Sequence, residues 1–168
     1  MYLLLLFLLA QTRTEVLCGS LGGGFTGPSC GVQVEHEERI ENWTLWPSAY
    51  LLSAEKSTQD RGHLYRASVA VERHLGALGV RGGYAFSGYD SGDWRKSTQR
   101  PFGGLCLHRD SRFCVTYYLP DDTPNETEGY SFLWRLDEGD WTTSIETLYY
   151  SFDEESDVSI TASFGRLW

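Results

Sequence analysis

From His63 to the C-terminus, apolar residues return at every second position. "HLYRASVAVER" sets Tyr65, Ala67, Val69 and Val71 against Arg66, Ser68 and Glu72. A period of two marks a strand whose two faces meet different surroundings. "YSFLWRL" repeats the pattern with Tyr130, Phe132, Trp134 and Leu136. "WTTSIETLYYSF" does so with Trp141, Ile145 and Tyr149, and "VSITASFGRLW" with Val158, Ile160, Ala162 and Phe164. Turn sequences such as "DEGD" and "DEESD" separate these segments, so antiparallel hairpins are expected. The expected fold is all-β, a single antiparallel β-sandwich or closed β-barrel built from hairpins with little helix. Helical potential is confined to residues 46 to 58, where Pro47 can open a short helix. Gly82 and Gly83 interrupt one strand and suggest a bulge or a close approach of backbones.

The chain has 168 residues, the size of one domain with a real core. Its net charge of −9 excludes phosphate recognition by a positive face and polybasic attachment to anionic lipid. Lysine is limited to Lys56 and Lys96, and all other basic residues are arginine.

"MYLLLLFLLAQTRT" carries an apolar run too short to span a bilayer as a helix but suited to a signal peptide. Residues 1–14 are therefore expected to be a leader and 15–168 a single secreted β-rich domain. The only two asparagines, Asn42 and Asn125, both stand in glycosylation sequons. An outer-membrane barrel is the competing architecture. The length suits eight strands and Trp168 is the last residue, but Arg166 falls on the apolar face of the last segment. Sequons and four cysteines also suit that architecture poorly, so the expectation is a soluble extracellular glycoprotein with no membrane span.

In an oxidising compartment four cysteines predict two disulfides. Cys18–Cys30 and Cys106–Cys114 are expected, since each closes a short loop. "CLHRDSRFC" reads as a hairpin with Arg109, Asp110 and Ser111 at the turn. His108 then opposes Arg112, Leu107 opposes Phe113, and Cys106 opposes Cys114. Leu105, Leu107, Phe113, Val115 and Tyr117 are assigned to the core face, and the cysteines, His108 and Arg112 to the other. Cys106, His108 and Cys114 offer zinc-binding atom types, but a fourth ligand is missing and the thiols would have to be reduced, so no metal is expected.

No motif specifies catalysis. "HEERI" at His36 lacks the second histidine of a zinc-protease helix, and "GSLGGGFTG" lacks the lysine of a phosphate loop. Asp90 and Asp93 are too few for a calcium loop. The spacing of Cys30 and Trp43 suits an immunoglobulin domain, but Arg112 and Gly104 stand where its tyrosine belongs. No enzyme and no cofactor are expected. The expected function is a secreted binding module, immunomodulator-like and of viral or cellular origin. Its partner would be an extracellular protein with a basic face, such as a cytokine, chemokine or receptor, and not nucleic acid. Acidic Glu35, Glu37, Glu38, Asp153, Glu154 and Glu155 and the basic tip at Arg109 and Arg112 would form the contact surface. The alternatives are a lipocalin-like carrier of an apolar ligand and, further off, a secreted hydrolase.

Overall fold

Ten antiparallel strands close on themselves in the computed structural model, which describes residues 10–20, 28–57, 60–90, 95–120, 126–152 and 155–168. They are β1 (Ala10–Ser20), β2 (Pro28–Ile40), β3 (Trp43–Ser57), β4 (Asp60–Leu75) and β5 (Leu78–Asp90). β6 (Arg95–His108), β7 (Arg112–Tyr118), β8 (Glu126–Glu138), β9 (Trp141–Phe152) and β10 (Glu155–Leu167) follow. Each strand pairs with its neighbours in sequence, and β1 seals the barrel against β10. The fold is thus an up-and-down barrel, and among the described residues there is no helix.

The pairing register fixes the barrel's shape. A row of paired residues starts at Ile40, runs through Trp43, Val80, Phe132 and Ser20, and re-enters β2 at Pro28. That is a stagger of twelve residues over ten strands, which tilts the strands by roughly 40°.

Two-residue turns at 41–42, 76–77 and 139–140 and the three-residue turn at 109–111 lie at one end of the barrel, with the start of β1 and the end of β10. Glu41, Gly76 and Gly139 have φ values of 54°, 72° and 60°. Tight hairpins demand such left-handed backbone at the first turn position, and glycine adopts it without strain. The other five connections leave from the opposite end.

β3 takes up residues 46–57 of the stretch to which helical potential was confined, and residue 58 lies outside the described residues. Pro47 sits inside β3, and the β2–β3 ladder omits the pairs around it, as a residue without N–H requires. There is no bulge at Gly82 and Gly83 either. A Cβ at Gly83 would meet the Val69 carbonyl and the Phe102 ring, so a close approach explains the glycine.

The alternation itself is observed, but its sides are reversed. Leu105 and Phe113, assigned to the core face, are 52% and 45% exposed on the outside, whereas Cys106 and Cys114 are 1% exposed inside. The same inversion runs round the barrel. Val16, Leu51, Val69, Ile145 and Ile160 point outward and are exposed. Arg13, Glu15, Glu72, Arg112 and Arg135 point inward and are buried. Among the described residues, apolar packing inside is limited to two small clusters, one around Leu17 and Leu52 and one around Trp46, Ala70, Ala85, Phe102 and Tyr118.

This arrangement overturns the expectation of a soluble secreted module with no membrane span. A water-soluble domain buries its apolar face and does not leave a continuous apolar belt on its surface. Asn42 is exposed in the β2–β3 turn, and Asn125 lies outside the described residues. Residues 1–9 of the expected leader also lie outside the described residues, and Ala10–Thr14 form part of β1.

Candidate functional site: a charged lumen

Strand alternation carries polar and charged side chains into the barrel from both ends of the sequence. In the half nearer the short turns they form two linked networks. Glu35 of β2 accepts hydrogen bonds from Arg135 of β8 and, at 3.3 Å, from Arg13 of β1. Arg13 also donates to Glu37 at 3.0 Å and to Asp137 at 2.9 Å. Glu15 accepts from the Ser163 hydroxyl and lies 3.6 Å from Arg135. Every carboxylate buried here therefore faces a guanidinium or hydroxyl donor, as burial of charge requires.

The second network centres on Glu72 of β4. Its Oε2 accepts from Arg112 of β7 at 2.5 Å, and its Oε1 lies 2.5 Å from His108 Nε2 and 3.7 Å from His74 Nδ1. The indole of Trp46 joins the networks. Arg112 lies 3.4 Å from the ring centroid and Arg13 5.5 Å from it. Cation–π contact in a water-poor space reinforces both arginines.

In the other half, Arg66 of β4 donates to the Tyr118 hydroxyl and lies 3.8 Å from Glu146 of β9. β4 and β9 stand diametrically across the barrel, so this pair bridges the lumen. With Arg13–Asp137 and Arg112–Glu72 it leaves an interior cavity of about 70 Å³.

The sequence-predicted contact residues do not form a surface. Glu35 and Arg112 are buried in the lumen, and Glu37 lies at its mouth. Arg109 is exposed in the β6–β7 turn, and Glu38 lies on the outer face near the end of β2. Asp153 and Glu154 lie outside the described residues, and Glu155 opens β10. Paired acids and arginines thus neutralise one another inside, and the buried Glu35 and Arg112 offer no surface to the expected extracellular partner with a basic face. Cys18 is bonded to Cys30 on the outer face, and Cys106 to Cys114 on the inner face, opposite one another in the β6–β7 ladder. Arg13, Glu15, Glu72, His74 and Arg135 were missed as site residues. The spacing of Glu72 and His74 could have revealed that pair, because residues two apart in a strand share a face.

No family model and no curated protein matches the chain. Solved structures match its fold. The NanC porin aligns over 91% of this chain and 98% of its own, with a TM-score of 0.51 and 15% identity. Neisserial surface protein A aligns over 94% and 95%, with a TM-score of 0.45 and 12% identity. The NanC likeness shows a shared closed-barrel fold.

Proposed function

We propose that the chain is a membrane-spanning β-barrel of the outer-membrane kind, with a lumen sealed by ion pairs and no catalytic role. The observation that carries this reading is the sidedness of the strands, apolar outward and charged inward. Along β3 the outward residues run Trp43, Leu45, Pro47, Ala49 and Leu51, nine positions from end to end. A tilted strand needs about 9–11 residues to cross a hydrocarbon core. Among residues whose side chains are described, the outward charges Glu38, Arg73, Glu138 and Arg166 lie near the short-turn end, clear of the middle of the strands. Trp43, Trp141 and Phe164 lie at that same end, with Trp141 and Phe164 stacked at 5.0 Å. Tyr65, Tyr117, Tyr130 and Tyr149 lie towards the other. Two such girdles flank the apolar band of outer-membrane barrels. Arg166, which argued against a barrel in the sequence, sits at the girdle 3.9 Å from Asp140 in the 139–140 turn.

Two disulfides suit the oxidising route through a bacterial periplasm as well as they suit secretion. Short turns and both strand termini at one end match the periplasmic side of such barrels. That the NanC porin shares the fold supports the membrane setting. The cross-lumen pairs speak against carrying its conduction over. Planar-bilayer recording tests this: insertion without a stable solute-sized conductance is expected. A steady ohmic conductance that lets sugars through in liposome swelling would contradict a sealed lumen.

A further inference from the structure

We propose that Glu72, His74 and His108 form a binding site for a zinc-class divalent cation at the short-turn mouth of the lumen. One oxygen of Glu72 and one ring nitrogen of each histidine lie within 4.8 Å of one another. Two histidines and a carboxylate are an established zinc donor set, with metal bonds near 2.0–2.2 Å. Tetrahedral ligands at that distance stand roughly 3.4 Å apart. The 3.7 Å between His74 Nδ1 and Glu72 Oε1 is close to this, and the 2.5 Å between His108 Nε2 and Glu72 Oε1 must widen by about 1 Å for both to reach one cation.

Three features of the surroundings support a built site. Glu72 and His74 come from β4 and His108 from β6, strands separated by β5 and therefore about 10 Å apart. Their side chains meet over Gly79 of β5, where a Cβ would collide with Glu72 Oε1 and come within 3.0 Å of His108 Nε2. The glycine is thus the floor that lets the donors converge. Next, the buried Thr44 hydroxyl lies 2.8 Å from His74 Nε2 and can hold the ring with Nδ1 turned to the site. Ligating histidines are commonly fixed through their second nitrogen in this way. Finally, Arg112 occupies Glu72 Oε2, orienting the carboxylate and leaving Oε1 for the cation. Access comes from the mouth, since the His108 side chain is 26% exposed while Glu72 is fully covered. The site depends on the barrel's register and not on what surrounds the barrel, so it stands apart from the membrane proposal.

Calorimetric titration of the disulfide-intact barrel in detergent with Zn²⁺, and visible absorption with Co²⁺, tests the proposal. One equivalent per chain and the bands of low-coordinate Co²⁺ are expected. His74→Gln and His108→Gln should each remove them, and Thr44→Val should weaken binding about ten- to a hundredfold. Replacing His36 and His63, the other two histidines, should change nothing. Unchanged binding in His74→Gln and His108→Gln, or no binding by the unaltered chain, would overturn the site. Should a variant fail to fold, paramagnetic shifts from Co²⁺ in the unaltered chain decide. Two shifted histidine rings support the site; none, or all four alike, refute it.

Discussion

Glu35 lies between two arginines that come from opposite sides of the β1–β10 seam. Arg13 and Arg135 are 3% and 2% exposed, and neither reaches bulk water through the packed lumen. Removing one partner of a buried ion pair leaves an uncompensated charge, which costs about 3–5 kcal/mol. Glu35→Ala is therefore expected to lower the unfolding free energy in micelles by roughly 3 kcal/mol. Glu38→Ala, three residues along and on the outer face, should change it by less than about 0.5 kcal/mol. Equal, small effects at both positions would show that the lumen is wet and its ion pairs solvent-like. Neither role was readable from the chain alone. "VEHEER" presents five charged or ionisable residues in a row, and nothing local says that one of them meets an arginine a hundred positions later.

At the scale of the strand, alternation was fully legible and its direction was not. A period of two separates two faces but does not say which one meets water. In a sandwich the apolar face turns in. In a barrel whose lumen is too narrow for bulky side chains all round, the small and polar face turns in instead. The inward residues carry a hint of this. Ser68, Thr116, Ser131, Ser144 and Ser163 are small hydroxyl residues, and lysine, common on wet sheet surfaces, is nearly absent. The β6–β7 register was legible, since a three-residue turn sets Cys106 opposite Cys114. The same strand-level account makes a sided prediction. Val69 lies midway along the outward face of β4 and is 50% exposed. Val69→Arg should cost about 2–4 kcal/mol for the barrel folded in a bilayer, the penalty for a cation at the midplane. In a soluble domain the same exposed position would accept arginine almost without cost, so a change below about 0.5 kcal/mol would contradict a lipid-facing β4.

For the molecule as a whole, closure and sidedness belong together. A ten-stranded closed barrel has no free edge, so among the described residues each strand has a hydrogen-bonded neighbour on both sides, the condition a hydrocarbon solvent imposes. Its charged interior then takes the place of the apolar core that a soluble domain of this length would build. The non-local part of this design was illegible in sequence: the stagger, the β1–β10 seam and the lumen's ion pairs arise only once the sheet has closed. The most direct test is tryptophan quenching by lipids brominated along their acyl chains, with the chain folded into vesicles. Trp43, Trp134 and Trp141 point outward from the barrel wall. Strong quenching, lost when the bromines are moved to the aqueous phase as a soluble bromide, is the predicted result. Unquenched fluorescence, with the folded chain recovered as a monomer in lipid-free buffer, would contradict it.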